Sequence, residues 1–411
     1  MAVGHGQLPP LHAVAGFKLG IASAGIKKPG RLDLVVMECA PGSSVAAVFT
    51  KNAFCAAPVR LSKRNLHECL QKRLAPRYLL TNTGNANAGT GEPGIANAQR
   101  SCDELAKLSG IDSGEVLPFS TGVIGEPLPV DKIVAALPAA LADLREDNWL
   151  RAAQGIMTTD TRPKAASVRI DLDGVGVTIT GISKGAGMIK PNMATMLGYV
   201  ATDAAVDATL LQICIERAVN RSFNRITIDG DTSTNDSCVL VATGAAGNAP
   251  IDSEQHPHFA RFYAAVEQVF VELAQAIVRD GEGATKFVSV DVQGGATEAE
   301  CLLVAYAVAE SPLVKTALFA SDPNWGRILA AIGRAGVDNL DVDRVSVSIN
   351  GVLIAEGGGR SPGYTEQQGA AAMAPEEITI AISLGRGDAS TTVWTTDFSH
   401  EYVTINAEYR T

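Results

Sequence analysis

The sequence predicts an α/β protein in which strands and helices alternate along the whole chain. Three observations carry that prediction: short apolar runs bounded by turn residues, longer segments with apolar positions three and four apart, and a second series of both after Lys286. The chain has 411 residues, beyond the ~250–300 at which single cores stop growing, so two domains or two interlocked layers are expected. "LDLVVMEC" (32–39) and "YLLTNTG" (78–84) predict buried strands, and "SVRIDLDGVGVTITGIS" (167–183) predicts a hairpin about Asp173-Gly174. "ATLLQICIERAVNRSF" (208–223) and "FARFYAAVEQVFVELAQAIV" (259–278) carry the spacing of helices with one buried face. After Lys286, "FVSVDVQG" predicts a strand, "AECLLVAYAVAES" and "WGRILAAIGRAG" predict helices, and "RVSVSINGVLIAEG" and "EITIAISLG" predict strands. The expected organisation is a main domain over 1–285, a smaller one over 286–395, and residues 396–411 returning to the first.

Composition narrows the function. A formal charge of −10 at pH 7 argues against a nucleic-acid partner, whose phosphates are neutralised chiefly by Lys and Arg, and points to a small molecule. No stretch of ~18 or more uninterrupted apolar residues occurs, so no membrane partner is expected. The opening "MAVGHGQLPPLHAVAGF" lacks the basic flank and apolar run of a secretion signal, so the expected compartment is the cytoplasm. The seven cysteines are scattered, odd in number and without a CxxC pair, which predicts reduced, mostly buried thiols.

Five segments rich in Gly, Asn, Thr or Asp read as loops where chemistry could sit: 82–94, 119–127, 157–164, 183–196 and 229–236. Any one of them alone is equally well explained as turn chemistry. None matches GxxxxGK[ST]. "DGDTSTNDSCVL" starts like a calcium loop, but has Thr234 at its sixth position and Leu240 at its twelfth, where Gly and Glu belong. None of the six histidines lies in these loops, which argues against a Ser-His-Asp triad and against a zinc site, so no metal is expected.

A nucleophile that needs no histidine remains. In "GAGMIKPNMATMLGYV" (185–200), Thr195 stands alone between Ala194 and Met196. A threonine made the first residue of a chain can use its own α-amine, with a pKa of ~7.7–8.0, as the base that activates its hydroxyl. Cutting the Ala194–Thr195 bond would create one, with small Ala194 leaving the carbonyl open and Gly185, Gly187 and Pro191 shaping the backbone.

"KGAGMIKPNMATMLGYVATDA" (184–204) closely resembles the self-cleavage segment of the glutamate N-acetyltransferase family, also called ornithine acetyltransferases, of arginine biosynthesis. "TNTGNANAGTG", "STGVIGEPLP", "IMTTDTRPKAA", "DGDTSTNDS", "VRDGEGATKF", "DPNWGRILAAIG" and the terminal "VTINAEYRT" resemble the family in the same order, so the likeness spans the chain. It implies a layered sandwich of mixed sheets and helices of the ornithine acetyltransferase and self-cleaving aminopeptidase type. It implies self-cleavage into an α chain (1–194) and a β chain (195–411), with Thr195 carrying acetyl from N2-acetyl-L-ornithine to L-glutamate. By the same resemblance, Thr121 and Gly122 supply the oxyanion hole, and Thr161, Lys184, Thr195, Glu282, Asn406 and Thr411 contact substrate, with Thr158 and Thr159 in the same loop as Thr161. Thr411 stands where the family often has serine. No cofactor is implied, acetyl-CoA being a co-substrate in part of the family, and the implied assembly is a heterotetramer of two α and two β chains. The alternative, a self-cleaving aminopeptidase of related fold, passes the acyl group to water and usually has a serine nucleophile in a different local sequence. A non-enzymatic scaffold predicts no cleavage at all.

Overall fold

The computed structural model describes residues 2–4, 6–190 and 196–408. Nine strands form the first two sheets: β1 (Phe17–Ala22), β2 (Leu34–Cys39), β3 (Ser44–Phe49), β4 (Tyr78–Asn85), β5 (Val116–Val123), β6 (Lys164–Leu172), β7 (Val175–Lys184), β8 (Leu197–Thr202) and β9 (Ser237–Ala242). One sheet has the order β1-β2-β4-β5, the other β3-β9-β8-β7-β6.

The two sheets lie face to face because their strands are apolar on alternate sides. Phe17, Leu19, Val35 and Met37 of the first sheet share a core with Val45, Tyr199, Val239 and Val241 of the second. The intervening residues point outward and are covered by helices. On the first sheet, Leu34, Val36 and Leu80 pack under α1 (Ala57–Gln71), α2 (Gly91–Ser109) and α3 (Val130–Ala142). On the second, Val48, Val200 and Leu240 pack under α5 (Ala208–Arg221) and α6 (Phe259–Arg279), while the short α4 (Trp149–Gly155) stacks Trp149 on Phe17 between the layers. The result is a four-layer helix–sheet–sheet–helix sandwich.

A third sheet, β13-β12-β11-β14-β10-β15, follows Lys286: β10 (Phe287–Gly295), β11 (Ser346–Ile349), β12 (Val352–Glu356), β13 (Gly359–Arg360), β14 (Glu377–Ser383) and β15 (Ala389–Thr396). With α7 (Glu298–Ala309), α8 (Pro312–Phe319), α9 (Trp325–Gly333) and α10 (Glu366–Met373) it encloses its own apolar core from Val288 to Val393. The last helix, α11 (His400–Ala407), crosses back to the sandwich.

The hairpin about Asp173-Gly174 forms as expected, both residues at positive φ (53° and 86°) as its two-residue turn requires. Four segments expected as loops are partly regular. Residues 82–85 finish β4 and 91–94 begin α2, residues 119–123 finish β5, Lys164 begins β6, and residues 183–184 finish β7. Six of the seven cysteines are buried and Cys55 is half-buried, all of them free thiols. Among the described residues, no single helix is long and apolar enough to cross a membrane.

Candidate active site

The site lies at the tips of strands from both sheets. β4 and β5 run parallel and end in polar, small residues, pairing Asn82 with Ser120, Thr83 with Thr121 and Gly84 with Gly122 before the register breaks. Gly122 has φ +133°, and a Cβ there would sit 2.3 Å from the Gly84 carbonyl carbon and 2.5 Å from the Asn85 nitrogen. Only glycine allows the two backbones to close up at this point.

The opposite sheet brings Lys184, Leu197 and Ser237 level at the ends of β7, β8 and β9. Antiparallel neighbours such as β7 and β8 can be joined by two residues. Here the connection is the whole of 185–196, and its described residues, Gly185, Gly187, Met188, Ile189 and Met196 among them, form one wall of a cavity of about 270 Å³. Thr121, Gly122, Lys184, Gly187, Glu282 and Asn406 line that cavity, together with Thr158 and Thr159.

Lys184 is buried and its Nζ donates to Thr121 Oγ1 at 3.2 Å. Burial pushes its ammonium below the usual lysine range, against the opposing pull of Asp160, the strongest of three carboxylates that favour its charge. Asp160 accepts from Lys164 Nζ (2.6 Å), Gly185 N (2.7 Å) and Thr158 N (2.8 Å). Burial would raise this carboxyl, but Lys164 and Lys184 outweigh it and hold it well below the usual carboxylate range. Lys164 also reaches Asp280 at 2.5 Å, both side chains being shielded from water. Behind the lining, Asp160, Lys164 and Asp280 thus form a buried, alternating set of charges that fixes the 158–164 loop, the end of β7 and the end of α6 to one another.

Glu282 stands on the turn after α6, its backbone N–H bonded to Ala186 O at 2.8 Å and its Oε2 accepting from Asn406 Nδ2 at 2.9 Å. A Cβ on Gly187 would lie 2.3–2.7 Å from the Glu282 carboxylate, so that glycine leaves the space the acid occupies. Asn406 reaches the site because α11 docks on the same turn: Ser399 Oγ donates to Gly283 O at 2.6 Å.

Of the residues expected from the sequence, Thr121, Gly122, Lys184, Glu282 and Asn406 meet in this cavity. Thr161 is placed just outside it, with its N–H (3.0 Å) and its hydroxyl both given to Asp280, while Thr158 and Thr159 line the wall. Ala194, Thr195 and Thr411 lie outside the described residues. Sequence reasoning missed Asp160, Lys164 and Asp280. The motifs "MTTDTRPKAA" and "VRDGEGATKF" contain them, but Lys164 and Asp280 are 116 positions apart and no spacing rule joins them.

No histidine is among the described lining residues. Amine, carboxylate, hydroxyl and backbone laid open by glycine suit acyl transfer on a substrate the size of an amino acid, which makes the class an acyltransferase on a two-sheet sandwich. Comparison with known proteins specifies it. The ArgJ family model matches residues 18–411. The arginine biosynthesis bifunctional proteins ArgJ of Pseudomonas fluorescens and of Pseudomonas syringae pv. tomato are each 65% identical over 411 residues, covering all of both chains. The crystal structure of the arginine biosynthesis bifunctional protein argJ from Bacillus halodurans is 39% identical with a TM-score of 0.50, covering 52% of this chain and 99% of its own. The chain belongs to the ArgJ family.

Proposed function

We propose that the cavity between the strand tips is where Thr195, freed by self-cleavage, carries an acetyl group from N2-acetyl-L-ornithine to L-glutamate. The chain is an acyltransferase of arginine biosynthesis. The observation that carries the residue roles is the convergence of Thr121, Gly122, Lys184 and Glu282 on one cavity walled by residues of the 185–196 connection. The Bacillus halodurans chain, which matches about half of this one over nearly its own full length, has the size that a cut at Ala194–Thr195 leaves.

In maturation, Thr195 Oγ adds to the Ala194 carbonyl carbon, the C–N bond breaks as the nitrogen takes the hydroxyl proton, and water hydrolyses the resulting ester. In transfer, the freed α-amine takes the proton of Thr195 Oγ as that oxygen attacks the acetyl carbonyl of acetylornithine. The N–H groups of Thr121 and Gly122 face the developing oxyanion, where one such donor contributes roughly 2.7–4 kcal/mol. Ornithine leaves with the proton, and the α-amine of glutamate then attacks the acetyl ester. Lys184 meets a substrate carboxylate and Glu282 the distal ammonium of ornithine.

Thr195→Ala tests this directly: a single full-length band on a denaturing gel and no transfer are expected, and a variant that still splits in two overturns the assignment. In the unaltered enzyme, acetylornithine without glutamate should leave one acetyl group on the C-terminal chain. Acetyl-CoA acts as a second acetyl donor in this proposal, and glutamate acetylation from acetyl-CoA alone measures it. An assembly of two α and two β chains is proposed as well, and sedimentation of the cleaved protein is its check.

A further inference from the structure

The loop 228–237 brackets the 185–196 connection from both sides. Ile228 N donates to Ile189 O at 2.7 Å and Thr232 Oγ1 to Lys190 O at 3.1 Å, while Ser237 N holds Met196 O at 2.9 Å. Its strongest grip is Asp229. The two carboxylate oxygens accept separately from Met188 N at 2.6 Å and Ile189 N at 2.8 Å. Between these contacts Met188 has φ +56°, a left-handed conformation that costs a side-chain-bearing residue roughly 1–2 kcal/mol. Met188 is 42% exposed, so packing of its side chain does not impose that turn. Among the described residues, the carboxylate of Asp229 takes both N–H groups of the turn, and such charge-assisted bonds are about twice as strong as neutral ones.

We propose that Asp229 is a positioning residue for chain cleavage: it fixes the left-handed turn at Met188, six residues before Ala194 in the chain that leads to the Ala194–Thr195 bond. The inference rests on the cleavage reading above and adds to it a residue that takes no part in the bond-breaking step. A positioning group of this kind acts through effective concentration, because a displaced attacking atom loses rate steeply with distance.

Three full-length variants test it, with the rate of conversion to two chains followed on denaturing gels and the thermal midpoint measured on each. Asp229→Asn keeps the shape but only one acceptor oxygen, so cleavage should slow by about tenfold, the loss of one charge-assisted bond. Asp229→Asn combined with Met188→Gly should recover most of that rate, since glycine enters the left-handed region without help. Thr195→Ala should not cleave. If Asp229→Asn cleaves at the unaltered rate, or if Met188→Gly brings no recovery, Asp229 does not act through this turn and the inference is wrong. If Thr195→Ala itself cleaves, the underlying reading fails instead, so the two failures are told apart.

Discussion

Replacing Glu282 with Gln removes one charge from the cavity and little else. The side chain is 8% exposed, its backbone stays tied to Ala186, and the amide is nearly isosteric with the acid. Asn406 Nδ2 donates both to Oε2 and to Tyr402 O, each at 2.9 Å, so keeping the first bond turns the oxygen of the introduced amide toward it and the amide NH2 toward the cavity. A substrate ammonium then meets a donor instead of a carboxylate. A hydrogen bond to a charged partner contributes about 1.5–3 kcal/mol, which corresponds to roughly a 10- to 100-fold rise in the KM for acetylornithine. Because the ammonium is present in the ground state and in the transition state alike, kcat should stay within a few-fold. The assay is steady-state kinetics on the cleaved fraction with acetylornithine varied at saturating glutamate. A fall in kcat with KM unchanged would refute the reasoning, and would make Glu282 a proton-transfer group acting on the leaving amine.

Gly122→Ala should cost on the order of 3 kcal/mol, from the clash with Gly84 and Asn85 and from its backbone strain, and a thermal midpoint equal to that of the unaltered protein would show that the close approach is absent. Transfer through an acetyl-enzyme requires ornithine to leave before glutamate reacts, so double-reciprocal plots should be parallel, and intersecting lines would indicate direct transfer. Lys315, buried beneath Thr395 and Thr396, gives a pH effect of definite sign, since burial lowers its ammonium to about 7 from the ordinary 10.5. Below pH 7 both states hold the proton. Between pH 7 and 10.5 the unfolded chain holds it and the fold does not, so stability rises with pH. The thermal midpoint of the unaltered protein relative to Lys315→Met should therefore increase from about pH 6 to about pH 9, and a constant difference would contradict it.

The fold could be read from the sequence wherever one face of an element meets water. The β6–β7 hairpin and helices α5 and α6 carry clear periods of two and 3.6, and the strands after Lys286 alternate in the same way. β8 and β9 carry no such signal, because "LGYVAT" and "SCVLVA" are buried on both sides and do not alternate. The end of β5 misled for the opposite reason. Its Ser, Thr and Gly look like turn residues, yet they pair as a strand with the end of β4 because polar groups of the two satisfy one another, as Ser120 Oγ does with Asn82 Oδ1 at 2.6 Å. Within the site, the resemblance located Thr121, Gly122, Lys184, Glu282 and Asn406. The buried charges beneath them depend on contacts between α6 and the 158–164 loop, and those exist only once the sandwich has closed.

The order β3-β9-β8-β7-β6 has a consequence for what a cut after Ala194 can do. β8 and β9 come from beyond that point, and they are flanked on one side by β3 and on the other by β7, both from before it. The two products are thus interleaved like the fingers of clasped hands, and severing the peptide between them removes a tether but no rung of the ladder. Each product owns one whole sheet, β1-β2-β4-β5 before the cut and β13-β12-β11-β14-β10-β15 after it, but the sheet between them takes strands from both and is complete only when both are present. A tag on either product should bring down its mate under native conditions and lose it only in denaturant. Reassembly from separated products should be poor, as it is when a watch is closed after its spring has been released.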